Sequence, residues 1–262
     1  MGKIYSNILG DGSKDLIILH GFLGMGNNWK AQGKRFEEMG YRVHLLDSRN
    51  HGKSFWDINF DYHYMAKDLD KYFKDHELKD ATLIGHSMGG KTAMIFSLLK
   101  PELVNQLIVS DISPKDYKSN AEIKKIGEGL IKLDLDKIAK RKDLDIHLEK
   151  YVKSSQTRQF LLKNLYRSES GKFCFYPNIK ILKNSISTIE KFPIMEGKYK
   201  NPVLFLKGEK SNYIDIKGDK DLIRSYFSNS QIIEIQGAGH WIHFDCPDLF
   251  FQKVIEWIKN IQ

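Results

Sequence analysis

Short apolar runs alternate with helical patterns along most of the chain, the signature of βαβ units and a mainly parallel sheet. Runs at 16–19, 42–46, 81–84, 106–109, 203–206 and 232–235 read as strands. Near-continuous β-branched and leucine stretches such as Leu16-Ile17-Ile18-Leu19 suit strands covered on both faces. Apolar positions at helical spacing fill 29–39, 64–75, 89–99 and 222–227. The closing helix is the clearest: Pro247 suits a first helical position, and Leu249, Phe250, Val254, Trp257, Ile258 and Ile261 form one stripe. The opening reads as a hairpin, with 4–9 and 16–19 joined through a turn at Gly10-Asp11-Gly12-Ser13.

This alternation stops between Pro114 and Pro193. Helical spacing persists there (Ile123, Ile126, Leu130, Leu133; then Phe160, Leu161, Leu165), but no run reads as a strand. The stretch is too long for a structureless loop. It is expected to be a helical cap inserted before the penultimate strand. The division is then 1–113 and 194–262 for the core and 114–193 for the cap, the alternative being an ordinary long crossover.

Composition narrows the picture. With 262 residues, 41% apolar and 12% aromatic, the chain can bury enough surface to offset its conformational entropy. Its longest apolar runs fall far short of the roughly 18–20 residues that span a bilayer, and the first residues lack the apolar segment of a secretory signal. Gly2 and Ser6 fit the loose acylation pattern M-G-x-x-x-S, but 4–8 reads better as a strand. Two cysteines are too few for a disulfide framework, so a reducing, cytoplasmic setting is expected. The net charge of +8 comes from lysines dispersed from Lys3 to Lys259, without a basic run interleaved with aromatics, so no nucleic-acid partner is expected. No His/Cys/Asp cluster has metal-ligand spacing. Neither metal nor cofactor is expected.

The segment Gly85-His86-Ser87-Met88-Gly89-Gly90-Lys91-Thr92 follows a strand and opens a helix, and it fits two motifs. As G-x-S-x-G it is a nucleophile elbow, whose sharp bend needs small residues two before and two after the serine. Ser87 then points into the crevice at the strand end, and the Met88 N–H lies where an oxyanion would develop. As G-x-x-x-x-G-K-T it is a phosphate-binding loop, with Asp111 as an acidic strand end. The rest of the chain favours the first reading. His20-Gly21-Phe22 follows a strand directly, so the Phe22 N–H can act as a second oxyanion donor. Asp111 ends another strand. His240 lies among the small residues Gly237-Ala238-Gly239 after the last strand. The chain order Ser, acid, His is that of a hydrolase triad.

On these residues the chain resembles the α/β-hydrolase family. Within it the chain is similar to small bacterial serine esterases, related to a mitochondrial α/β-hydrolase, that act on short acyl esters and acyl-thioesters. The matching stretches are His20–Gly24, Asp47–Ser54, Gly85–Gly90, Asp111–Pro114 and Gly237–Trp241. The resemblance implies an α/β-hydrolase fold, Ser87 as nucleophile, His240 as base, and Phe22 and Met88 as oxyanion-hole donors.

In many members the acid follows the penultimate strand in a G-x-x-D arrangement. Here that position is Ser211, which cannot offset an imidazolium charge as a carboxylate does. Asp111 is the favoured replacement, with Asp215 and Glu209 as alternatives. His243 and His86 read as packed histidines, and Asp47, Arg49 and His51 as loop-holding residues. Arg167, Phe173, Phe175 and Tyr176 either line the pocket or pack in the cap.

The expected activity is acyl transfer from a small ester or thioester to water through an acyl-enzyme. C–C hydrolysis, transfer to another acceptor, a P-loop nucleotide enzyme and an idle binding protein are the alternatives.

Overall fold

The computed structural model describes residues 2–118, 121–138 and 140–261. In the first part of the chain strands and helices alternate as β1 (Ser6–Leu9), β2 (Lys14–Leu19), α1 (Lys30–Glu38), β3 (Tyr41–Leu46), α2 (Tyr62–Asp75), β4 (Ala81–His86), α3 (Met88–Leu99) and β5 (Val104–Ser110). A long segment follows, with α4 (Ala121–Ile131), α5 (Arg141–Glu149), α6 (Ser155–Leu162), β6 (Leu165–Arg167), β7 (Phe173–Phe175), α7 (Ile179–Asn184) and α8 (Ile186–Glu190). The chain then closes with β8 (Val203–Gly208), α9 (Lys220–Tyr226), β9 (Ser230–Ile235), α10 (Ile242–Asp245) and α11 (Pro247–Ile261).

Seven strands make one sheet in the order β1-β3-β2-β4-β5-β8-β9, parallel except for β1, which runs antiparallel to β3. The expected opening hairpin is absent. Strand β2 is flanked by β3 and β4, so both of its edges are taken and β1 pairs with β3 instead. The link between β1 and β2 passes hard against Gly40 and Tyr41 at the start of β3.

Period-2 alternation sends the buried strand residues to two apolar layers. Leu16, Ile18, Val43, Leu45, Ile84, Ile108 and Leu204 pack with α1 and α11 through Phe36, Phe250, Val254 and Ile258. Ile17, Leu19, Leu83, Leu107, Val109, Val203 and Phe205 pack on the other face with α2 and α3 through Leu69, Phe73, Ala93 and Phe96. That second layer continues into Ile126, Leu130, Leu144, Leu161, Leu182 and Ile189 of the segment between β5 and β8. The segment is therefore cored on the sheet-covering helices.

Within the segment a two-stranded antiparallel ribbon, β6–β7, appears where the sequence pattern shows no strand. Three residues per strand are too few to display an alternation, and Gly171, at φ +79°, makes the turn between them.

The loop after β3 is held by buried charge. Arg49, 1% exposed, makes a two-pronged ion pair with Asp68 of α2 (2.5 and 2.7 Å) and donates to the Asn59 carbonyl (2.7 Å). Asp47 accepts from the Gly26 and Lys53 N–H groups, both at 2.7 Å. Removing one member of a buried pair strands the other charge. Arg49→Met is therefore expected to lower unfolding free energy by about 3–5 kcal/mol in urea titration. Adding Asp68→Leu to the same chain is expected to restore much of that loss.

Candidate active site

Strand β4 ends at His86, and α3 begins at Met88, so the whole change of direction falls on Ser87 (φ +51°, ψ −116°). A side chain in this region of backbone space is strained and needs surroundings that hold it. They do so by close approach. A Cβ on Gly85 would lie 2.4 Å from the Gly89 carbonyl oxygen, and one on Gly21 would lie 2.6 Å from His86 Nδ1. Glycine is required at both positions because backbone and an imidazole fill the space. The Ser87 N–H is tied to the Ser110 carbonyl of β5 (3.1 Å), and the Ser87 carbonyl accepts the Lys91 N–H (3.0 Å).

Asp111 follows β5 directly, also with positive φ (+52°), and is completely buried. Its Oδ1 accepts the Gly208 N–H at the end of β8 (3.0 Å), and its Oδ2 accepts His240 Nδ1–H (2.8 Å). The Ser211 hydroxyl donates to the same Oδ2. The serine that replaces the usual carboxylate thus sits on the carboxylate one strand over. The sequence marks Ser211 as a departure from the family pattern. Its contact with Asp111 becomes visible only once β5 and β8 are paired.

The alternative acids lie elsewhere. Asp215 accepts the Lys217 and Gly218 N–H groups in its own turn, which holds its carboxyl below the usual range. Glu209 accepts the Gly237 N–H.

Around these residues three buried histidines, His20, His51 and His86, fix the loops, and the half-buried His243 packs beside them. His20 donates Nδ1–H to the Gly21 carbonyl (2.7 Å) and accepts the Ser48 N–H at Nε2 (3.0 Å). His51 donates to the Arg49 carbonyl (3.0 Å) and accepts the Leu23 N–H (3.1 Å). His86 donates Nε2–H to the His240 carbonyl (2.9 Å), and His243 stacks on Trp29 at 3.7 Å. Desolvation lowers the pKa of all four, of His51 and His243 to about 3, so each ring is neutral at physiological pH; His20, His51 and His86 act as hydrogen-bonding groups. The loop carrying Phe22 and the loop carrying His240 are both anchored in this way.

Ser87 and His240 line one depression in two lobes, together with Phe22, Ile123 and Tyr213, whose ring stacks on His240 at 4.0 Å. The first lobe, about 370 Å³, adds Met88, Ile112, Tyr62, Tyr117 and Ile189. The second, about 400 Å³, adds His86, Trp241, Phe160, Leu161 and Ile126. Arg167, Phe173 and Phe175 line neither; Arg167 lies over the Phe173 ring at 4.2 Å on the ribbon. Tyr176 lines a different groove beside Lys53. Lys91 is buried, and its ammonium donates to main-chain carbonyls of residues 189–191.

The family model described as the alpha/beta hydrolase fold matches residues 15–130. The sn-1-specific diacylglycerol lipase ABHD11 of Danio rerio is 35% identical over 94% of this chain and 79% of its own length. The Mus musculus protein of the same name is 34% identical over 97% and 84%. A solved structure described as a marine microorganism esterase superposes with a TM-score of 0.94 at 37% identity, covering 98% of this chain and 99% of that one. The chain belongs to the α/β-hydrolase family, and within it groups with ester hydrolases. Among the described residues no helix is long and apolar enough to cross a membrane.

The bend at Ser87 yields a direct test. Gly85→Ala forces its Cβ onto the Gly89 carbonyl, and a shift of β4 against α3 is expected to cost about 2–4 kcal/mol of stability, read as a lower urea midpoint.

Proposed function

We propose that the chain is a serine hydrolase cleaving carboxylic esters or thioesters of small acyl groups through an acyl-enzyme on Ser87. The observation that carries this reading is the Asp111–His240 hydrogen bond of 2.8 Å beside a cavity that His240 shares with Ser87. His240 donates Nδ1–H to a carboxylate that can only accept, so Nε2 carries the lone pair that a base needs. His240 takes the Ser87 proton as Oγ attacks the acyl carbon, and Asp111 offsets the charge that the imidazole gains. Ser211 and the Gly208 N–H hold that carboxylate in orientation.

The oxyanion falls to the Phe22 and Met88 N–H groups. Met88 is the first residue of α3, where N–H groups have no partner within the helix. The alcohol or thiol then leaves with the proton from His240. Water, deprotonated by the same residue, attacks the acyl carbon, and His240 returns that proton to Ser87 Oγ as the acid leaves.

The two lobes divide the substrate. The leaving group must lie next to His240 to collect its proton, which favours the lobe lined by His86 and Trp241 for it. The acyl chain then enters the lobe beyond Met88, between Ile112, Tyr62 and Ile189. The residues 114–193 act as the cap, because both lobes are closed partly by α4, and one each by α6 and the end of α8.

A fluorophosphonate probe is expected to label the protein and to lose its target in Ser87→Ala. Mg-dependent ATP binding abolished by Lys91→Ala, with labelling absent, would favour the nucleotide enzyme instead. Asp111→Asn is expected to lower kcat by about 10³–10⁴-fold, by destroying the tautomer that leaves Nε2 basic. In the same assay Asp215→Asn should stay within about twofold of the parent, since its carboxylate serves a local turn. The reverse ranking would reassign the acid.

A further inference from the structure

Lys91 has no step in acyl transfer, yet its side chain is 1% exposed in the first turn of α3, four residues beyond Ser87. Its Nζ donates to three consecutive carbonyls, those of Ile189 (3.3 Å), Glu190 (2.9 Å) and Lys191 (2.7 Å). Three acceptors require three N–H bonds, which only the ammonium has. The neutral amine would turn its lone pair towards one of the oxygens. The faces of Tyr117 and Tyr62 lie 4.8 and 5.6 Å from the nitrogen and add to the attraction for a cation. Ile189 and Glu190 end α8, and both line the lobe in which the acyl chain is placed above.

We propose that Lys91 is a specificity-determining positioning residue: its ammonium pins residues 189–191 as the wall of the acyl lobe, and its protonation state sets the acyl length accepted. The inference rests on Ser87 being the nucleophile and on that lobe taking the acyl group.

The groups facing the ammonium are few. From α2 comes the Tyr62 hydroxyl, which donates to the Ile189 carbonyl (2.7 Å). From the segment after β5 come Tyr117, whose hydroxyl donates to the Tyr213 carbonyl (2.7 Å), and Asp116, which accepts the Phe192 N–H (2.7 Å). From α8 comes Glu190. Burial lowers the Lys91 pKa to about 7, against the opposing pull of Asp116 and Glu190. Burial also pushes both tyrosine hydroxyls far up, so neither titrates in the same range. Below neutrality the ammonium holds all three carbonyls and the lobe is short. As pH rises through about 7 one donor is lost, the wall relaxes, and longer chains fit.

The test uses the ratio of kcat/KM for nitrophenyl octanoate to that for nitrophenyl acetate, measured on the full chain from about pH 5.5 to 9. Both esters share the leaving group and the Ser87–His240 chemistry, so the pH dependence of that shared chemistry cancels in the ratio. The ratio is expected to rise about fivefold with a midpoint near pH 7, the effect of losing one hydrogen bond. Lys91→Met, if it folds by circular dichroism, should hold the high-pH ratio throughout, and Lys91→Arg the low-pH ratio. Should neither variant fold, the parent titration alone decides. A ratio independent of pH in a parent whose turnover still vanishes in Ser87→Ala overturns the role of Lys91 alone, as does a pH step that persists in Lys91→Met. Turnover that survives Ser87→Ala overturns the esterase reading with it.

Discussion

A single buried carboxylate ties together the ends of three elements that arrive from distant parts of the chain. Asp111 leaves β5, receives the Gly208 N–H from the end of β8, the Ser211 hydroxyl from the turn beyond it, and the imidazole of His240 from the loop after β9. A carboxylate removed from water is tolerated only when such donors replace its hydration, and here two oxygens receive three. The contact depends on the order β5-β8-β9 in the sheet, with parallel strands whose C-terminal ends fall at one level. If that register slipped, the cavity would lose its relation between Ser87 and His240.

The polar groups below this point serve the same geometry. His20, His51 and His86 are held neutral by burial, and each links two loops through main-chain groups. In His20 and His51 a backbone donor to one ring nitrogen leaves only the other to carry the proton, and in His86 a carbonyl acceptor calls for the proton on Nε2, so the packing selects the tautomer. Arg49 and Asp68 do for the loop after β3 what these rings do for the loops after β2 and β9. The loop ends around Ser87 are thus fixed by hydrogen bonds among buried groups, while apolar packing sets the distance between layers.

Relatives named as lipases and a closely superposing esterase agree with an ester hydrolase. Here the segment between β5 and β8 is joined to α3 by Lys91, so the helix that begins at Met88 also holds residues that line the cavity. The lysine that imitates a phosphate-binding loop in sequence is bonded to protein carbonyls in space. Both loops need a glycine-rich bend between strand and helix, so they share a spacing while their lysines point to different partners.

Most strands and flanking helices could be read directly, because near-continuous apolar runs and helical stripes are local properties of the chain. The bend at Ser87 and the loop carrying His240 were legible for a similar reason, since small residues flank each. The pairing of β1 with β3 was not, because which edge stays open depends on the neighbours that β2 acquires. The ribbon β6–β7 was too short to show a period. Ser211 read as a missing acid, and Lys91 as part of a spacing that fits a phosphate-binding loop. Contacts across roughly a hundred residues of sequence give those two side chains their places, and such contacts form only when non-neighbouring segments pack. Local pattern determined the elements and the bend at Ser87; tertiary packing decided which buried groups meet, because a hydrogen bond depends on distance in space and not on separation along the chain.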